Sequence, residues 1–254
     1  MSADAFRLDG RVAIVTGGGG GLGADMCRSL AGAGAAVVVV DRVQEKIDAV
    51  AEHVEAAGGR TLPVLCDISD RTSVEEMAST VIGELGGIDV LVNNAAIYPS
   101  RAWTEIAEEE WDSVLATNLK GYFLCARAAY PSMKERGRGR IINVTSITFF
   151  VGSALLLDYV SSKGAVVGFT RALAREVGPE GVTVNAIAPG AFPTDAETIH
   201  PDPAEYNQWV LDQQSLKRRG TPEDIGNLTV FLASDASSFI TGQTIGINGG
   251  WAMD

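Results

Sequence analysis

Histidine is nearly missing from this 254-residue chain: only His53 and His200 are present. Cysteine is almost as scarce, with three widely spaced thiols at Cys27, Cys66 and Cys125. So few imidazoles and thiols leave no ligand set for a zinc centre, and an odd, scattered trio makes no disulfide framework. The sequence therefore predicts no metal. Basic charge is also short: 20 Lys and Arg stand against 32 Asp and Glu, a formal charge of −12. That excludes a surface built to follow nucleic-acid phosphates. Long apolar runs are lacking too. The longest, such as residues 35–40, fall far short of the roughly 18–20 residues of a membrane span. No charged segment followed by an apolar one opens the chain. The expectation is a soluble, cytoplasmic protein with a small-molecule substrate and neither a nucleic-acid nor a membrane partner.

What the chain does have is an ordinary globular balance, 46% hydrophobic and 20% charged, and an excess of glycine, 29 residues. Five glycines stand in a row at Gly17–Gly21, with Gly23 after them. Elsewhere, short β-branched runs alternate with longer helical stretches. Strands are predicted over residues 12–16, 36–40, 61–66, 88–92, 140–144, 182–187 and toward the end over 243–247. Helices are predicted over 22–33, 44–57, 74–85, 111–136, 159–177 and around 228–232. Continuous apolar strands are buried on both faces, and strands separated by helices imply right-handed βαβ units. The fold class expected is α/β: a single-domain, doubly wound Rossmann fold with a seven-stranded parallel sheet flanked by helices. Residues 191–219, with Pro193, Pro201 and Pro203, break the rhythm and read as a substrate lid.

The glycine run lies where a first strand ends and a first helix begins. Glycine there permits a tight turn and close approach of a pyrophosphate to the free N–H groups of the helix. Gly17, Gly20, Gly21, Leu22 and Gly23 are the candidate phosphate-binding residues. Asp41 ends the second strand about 20 residues further on, where a carboxylate accepts from ribose hydroxyls and repels a 2′-phosphate. That favours NAD over NADP, although the adjacent Arg42 is able to neutralise a 2′-phosphate.

Tyr159 and Lys163 are four apart and share a helix face. Ser146 follows a predicted strand directly, at the edge where ligands bind in such sheets. A neighbouring ammonium and a cationic nicotinamide favour the phenolate of Tyr159, whose ordinary pKa is near 10. With Ser146 orienting a substrate oxygen and Lys163 holding the nicotinamide ribose, the set is a proton-transfer partner for hydride transfer.

These motifs resemble those of the short-chain dehydrogenase/reductase family, over nearly the whole chain. The glycine motif falls at Thr16–Gly23, and Asn93-Asn94-Ala95-Ala96 matches the family's Asn-Asn-Ala-Gly. The resemblance implies that Asp67 and Ile68 lie on the adenine side, and that Asn94, Ala95 and Ala96 border the cofactor. It also implies that Asn118 relays protons through water to Lys163. Pro189, Gly190, Phe192 and Thr194 match the family's Pro-Gly segment, with Thr194 on the nicotinamide carboxamide. Ala96 in place of glycine adds a methyl beside the cofactor. Phe192 brings bulk toward the nicotinamide or the pocket mouth. Residues 92–99 and 141–150 look closest to secondary-alcohol members such as 1-phenylethanol dehydrogenase and pyridoxal 4-dehydrogenase.

Substrate walls are sought in Tyr98, Thr148, Phe150, Tyr206 and Trp209, with residues 155–157 as either wall or core. Their apolar character points to a hydrophobic or aromatic secondary alcohol or its ketone. Lys217, Arg218 and Arg219 read as a solvated turn. An NADPH-dependent 3-oxoacyl carrier-protein reductase is the alternative enzyme. A non-catalytic NAD-binding regulator is the alternative of another class. The resemblance implies a homotetramer, which the apolar end of the chain with Trp251 supports.

Overall fold

A computed structural model of the chain describes residues 3–194, 197 and 202–253. Its centre is a seven-stranded sheet in the order β3-β2-β1-β4-β5-β6-β7. The strands are β1 (Val12–Thr16), β2 (Ala36–Asp41), β3 (Arg60–Leu65), β4 (Val90–Asn93), β5 (Gly139–Val144), β6 (Val182–Pro189) and β7 (Thr244–Ile247), every neighbouring pair parallel. The helices are α1 (Gly21–Gly32), α2 (Gln44–Ala56), α3 (Arg71–Leu85), α4 (Glu108–Leu115), α5 (Gly121–Glu135), α6 (Ile147–Val151), α7 (Leu157–Val177), α8 (Pro203–Gln213) and α9 (Pro222–Ala233).

The continuous apolar strands have the cause read from the sequence. In β1, Val12 and Ile14 enter one core with α3, α5 and α7, while Ala13 and Val15 enter the other with α1, α2 and α9. Val37 to Val40 of β2 divide in the same alternation. The outer strand β3 differs: none of its residues is fully buried, and it carries Pro63, which an edge strand tolerates. Local signals fix several helix starts. Asp70 accepts from the Ser73 N–H at 2.7 Å to open α3, and Thr221 with Asp224 forms a capping box around Pro222 at α9.

Chain order reverses about the β1–β4 pair, and ligands in such sheets bind at the carboxyl ends of the strands beside that switch. Thr16, Asp41, Asn93, Val144 and Pro189 end their strands on this one edge. The predicted helix over 111–136 is three pieces: α4, a π-helical turn at Ala116–Lys120, and α5. Two helices went unread. The five residues of α6 are too few for a periodicity, and α8 lies inside the proline-bearing segment taken as a lid.

Candidate active site

At the first strand–helix turn, Gly17 takes φ +64°, the left-handed region that glycine adopts without strain. A side chain there would lie 2.8 Å from the Ala95 Cα, and one at Gly23 would collide with the Gly17 carbonyl oxygen. The loop is held from beneath. Thr16 Oγ1 accepts from the backbone N–H groups of Asn94 at 3.0 Å and Ala95 at 3.3 Å. Asn94 Nδ2 donates to the carbonyls of Thr16 and Gly17 at 3.0 and 3.1 Å. No side chain caps α1 at Gly20, and the space beside Gly20 is open. Leu22 follows Gly21 in the first turn of this helix, whose first N–H groups are thereby left to an anion. Thr194 stands across from Gly21, its Cγ2 3.8 Å from where a Cβ would lie. These features fit a dinucleotide pyrophosphate.

Asp41 is fixed at the rim of this cradle. Its Oδ1 accepts from the Arg42 N–H at 2.8 Å and its Oδ2 from the Gly19 N–H at 3.3 Å. Asp67 accepts from the Ser69 N–H and hydroxyl at 2.9 and 2.7 Å, and these bonds hold its carboxyl below the ordinary carboxylate range. The nearby Arg42 guanidinium adds to that lowering. The Ile68 side chain is buried against Gly121, so any cofactor contact falls to its backbone. Pro189 ends β6, and the Gly190 N–H donates to the Ile247 carbonyl at 3.0 Å. Ala96 follows Ala95 in the half-buried loop after β4.

The reacting groups converge from β5, α7 and the π-helical turn. Ser146 follows β5 and caps α6, its Oγ accepting from the Thr148 N–H at 3.2 Å. Tyr159 and Lys163 lie on one face of α7. The Lys163 ammonium is buried, donating to the Val144 carbonyl at 2.7 Å and to Tyr122 Oη at 3.2 Å. It stands 5.5 Å from the Tyr159 ring centroid. Burial pushes Lys163 down to about 7. Burial also pushes Tyr159 up to about 12, against the lowering effect of the neighbouring Ser146 hydroxyl. Charge from Lys163 therefore does not by itself lower the phenol, as the four-residue spacing led one to expect; desolvation of both groups outweighs it.

Asn118 is fully buried in the π-helical turn. Its Oδ1 accepts from the Ile97 N–H, and its Nδ2 donates to the Ile97 carbonyl, both at 2.9 Å. Nδ2 also reaches Ser162 Oγ at 3.1 Å. Asn118 thus ties the loop after β4 to the helix of Tyr159. Sequence reasoning missed Thr16, Tyr122 and Ser162 as supports. Thr16 and Ser162 sit inside motifs already singled out; Tyr122 gave no signal, because its contact with Lys163 spans 41 positions.

Around the reacting groups, Tyr98 packs edge-on against Tyr159, centroids 5.9 Å apart at 72°. Phe150 pairs with Phe149 at 5.0 Å, and the Thr148 hydroxyl is buried without a hydrogen-bond partner among the described residues. Leu155 and Leu157 are exposed, so residues 155–157 are not core. Tyr206 stacks on Trp209 at 5.8 Å, and Trp209 meets Trp251 edge-on at 5.1 Å. Trp251 therefore packs on its own chain, which removes the support it lent to an oligomer. Phe192 is buried beneath Gly220 and borders a cavity with Asp25, Pro193, Arg219 and Thr221.

Arg219 is likewise no solvated turn. It donates to the Ala191 carbonyl at 3.3 Å and Asn207 Oδ1 at 3.3 Å, pairs with Glu197, and lies over the Tyr206 ring. Residues 195–196 and 198–201 of the proposed lid, with His200, lie outside the described residues. Among the described residues no group of three or more His, Cys, Asp or Glu is placed to hold a metal, and no helix is long and apolar enough to cross a membrane.

Comparison with known proteins places this arrangement among relatives. A family model described as "Enoyl-(Acyl carrier protein) reductase" matches residues 18–252. The chain is 40% identical to the (2S)-[(R)-hydroxy(phenyl)methyl]succinyl-CoA dehydrogenase subunit of Thauera aromatica, covering 97% of this chain and 98% of that one. It is 39% identical to a 3-oxoacyl-[acyl-carrier-protein] reductase of Staphylococcus epidermidis, over 95% and 98%. A short-chain type dehydrogenase/reductase from Mycobacterium marinum superposes with a TM-score of 0.92 at 35% identity, covering 99% of each chain. A gluconate 5-dehydrogenase from Burkholderia cenocepacia, in complex with NADP and tartrate, does so with a TM-score of 0.92 at 33% identity, over 98% and 97%.

Proposed function

The chain belongs to the short-chain dehydrogenase/reductase family, and from that premise we propose that it moves a hydride between NAD(H) and a hydrophobic or aromatic secondary alcohol or its ketone. The observation that carries this reading is the Tyr159 phenol, whose ionisation the neighbouring Ser146 hydroxyl favours and which Tyr98 faces edge-on. That is a proton donor and acceptor walled by an aromatic ring. The nicotinamide, when bound, supplies the hydride donor or acceptor. The remaining work belongs to the chain. Gly17, Gly20, Gly21 and Gly23 admit the pyrophosphate, Asp41 the adenosine ribose, and Lys163 the nicotinamide ribose.

Ser146 holds the substrate oxygen while Tyr159 gives it a proton in reduction or takes one in oxidation. With its pKa near 12, Tyr159 is a phenol at neutral pH, the form that serves ketone reduction. Oxidation draws on positive charge near the phenol, from the ammonium of Lys163 and the cationic nicotinamide. Asn118 is a positioning residue that keeps the Ile97 loop and α7 in register, and water-borne relay to Lys163 is its second role. Residues 191–219 act as the substrate lid, with Tyr206 and Trp209 as its aromatic face. We assign the protein to the cytoplasm, as a homotetramer that buries exposed rings such as Phe123 and Trp103. Light scattering that returns a monomer mass would end the oligomer assignment.

NAD is preferred because Asp41 faces the ribose 2′ position with a carboxylate and the glycines at 18–20 bring no compensating cation. The second enzymatic reading, an NADPH-dependent 3-oxoacyl carrier-protein reductase, draws on the Staphylococcus relative and on the NADP bound in the Burkholderia structure. A regulator without catalysis is disfavoured, since a sensor has no use for Asn118, Ser146, Tyr159 and Lys163 together. Initial rates with NADH and with NADPH, on a panel of aryl ketones and 3-oxoacyl thioesters, separate the two enzymes. Faster turnover of aryl ketones with NADH supports the first reading. A strong NADPH preference with 3-oxoacyl thioesters overturns it, and tight NAD binding without turnover of anything revives the regulator.

A further inference from the structure

Tyr122 is fully buried, and no step proposed for the reaction uses its hydroxyl. It is the second residue of α5, directly after the π-helical turn that carries Asn118. Turns of this kind recur at functional sites. Gly121 brings the start of α5 close to the chain after β3, since a Cβ there would lie 2.7 Å from the Ile68 Cδ1. From this position the Tyr122 hydroxyl donates to the Val144 carbonyl at 3.2 Å and accepts from Lys163 Nζ at 3.2 Å. Lys163 Nζ donates to the same carbonyl at 2.7 Å. The three atoms close a triangle at the end of β5. Nζ also lies 5.2 Å from the Tyr122 ring centroid and 5.5 Å from that of Tyr159.

A lysine ammonium has three N–H donors and no acceptor. Two of those of Lys163 are spent on Val144 and Tyr122, and one is left. The Val144 carbonyl accepts twice, from Nζ and from the Tyr122 hydroxyl, as its two lone pairs permit. Burial holds Tyr122 well above its ordinary pKa, so it stays a neutral phenol whose oxygen accepts from the ammonium while its O–H is given to Val144. Asn118 spends its amide elsewhere, on Ile97 and Ser162. One acceptor would leave the ammonium free to turn about its last carbon–nitrogen bond. Two acceptors at fixed places stop that rotation and so fix the direction of the third N–H.

We infer that Tyr122 is a positioning residue, whose hydroxyl works with the Val144 carbonyl to fix the Lys163 ammonium so that its one unspent N–H is presented to a hydroxyl of the nicotinamide ribose. Tyr122 acts through Lys163 and not on the substrate. The inference rests on the proposal that Lys163 holds that ribose, and it extends the proposal to the residue that holds Lys163. Its consequence falls on cofactor affinity first and on turnover second.

The test is a double-mutant cycle of Tyr122→Phe, Lys163→Met and the pair, read as calorimetric dissociation constants for NADH. Tyr122→Phe removes one oxygen and keeps the ring beside Nζ. Its Kd for NADH should rise about tenfold, the scale of a hydrogen bond to a charged group. In the Lys163→Met background the same substitution should change Kd by less than about twofold, because the group it acts through is gone. In turnover of an aryl ketone, KM for NADH should rise with Kd by more than kcat falls. An unchanged Kd in Tyr122→Phe, or an equal rise in both backgrounds, overturns the inference; the second outcome would make Tyr122 a packing residue only. If Lys163→Met does not fold, Lys163→Gln completes the cycle, and if wild type binds NADPH more tightly the cycle is run with NADPH. Wild type that binds a dinucleotide but turns over no ketone or alcohol sinks the proposed reaction, while the cycle still judges Tyr122. Wild type that binds neither dinucleotide overturns both.

Discussion

Lys163 and Val144 are joined by a 2.7 Å bond that directs the buried ammonium to a strand-end carbonyl beneath the active site. Burial holds Lys163 near 7, below its ordinary 10.5. The unfolded chain therefore binds more protons than the folded one between about pH 7 and 10.5, and the Lys163 contribution to stability rises with pH across that window. Below the window the folded protein carries the full cost of a buried ammonium. Lys163→Met removes that titration. The melting temperature of Lys163→Met minus that of wild type should be larger at pH 6 than at pH 9. A difference that does not change with pH would contradict the burial argument.

Asn118 makes three hydrogen bonds, two of them to the backbone of Ile97. Asn118→Ala leaves those groups without their partner and should cost about 1–3 kcal/mol of stability. Because Ile97 leads to Tyr98, kcat should fall together with the melting temperature. Denaturant unfolding and steady-state rates check both. A fully stable variant with reduced kcat would point instead to a water relay as its principal role.

Asp41 already accepts backbone N–H groups from Gly19, Arg42 and Val43. Asp41→Ala removes the negative charge at the proposed ribose 2′ position, while Arg42 and Lys46, whose Cβ also borders Gly19, remain. The ratio of kcat/KM for NADPH to that for NADH should rise by roughly tenfold or more, as like-charge repulsion is relieved. No change in the ratio would show that Asp41 only shapes the loop.

Arg219 gathers Ala191, Glu197, Tyr206 and Asn207 into one knot at the base of the segment above the site. Arg219→Ala should raise KM for substrate several-fold and leave kcat within about twofold, since no reacting group is touched. Arg219→Lys keeps the charge but loses the planar fork, and should fall between the two. Steady-state kinetics on an aryl ketone decide it, and a collapse of kcat with unchanged KM would contradict a lid role.

Most of the fold could be read from the chain because its signals are local. The valines of β2 announce a strand buried on both faces, and the glycines after β1 announce the turn that follows it. Asp202 before Pro203 is a helix-start signal, an N-cap residue ahead of proline at the first helical position, but the surrounding prolines point to a loop and mask it. In the site, Ser146, Tyr159 and Lys163 stood out through position and spacing. The partners that govern their chemistry did not. Tyr122 and the Val144 carbonyl reach Lys163 through tertiary packing, and the burial that opposes an ionised Tyr159 is a property of the assembled site. Arg219 looked like a surface cation because its aromatic and acidic partners arrive from other turns of the chain. The letters mark Leu155 as part of an apolar run, wall or core, but not its left-handed backbone, whose carbonyl accepts from an N–H 54 positions away.

In the proposed reaction, Tyr159 exchanges the proton with the substrate oxygen while taking little part in holding the dinucleotide. Tyr159→Phe keeps the ring against Tyr98 and removes only the hydroxyl. The measurement is turnover of an aryl ketone with NADH, set beside the dissociation constant for NADH in the same preparation. Turnover should fall by about 10²–10⁴-fold, the usual worth of a positioned acid–base group, with cofactor affinity within about twofold of wild type. Undiminished turnover in Tyr159→Phe would contradict the account.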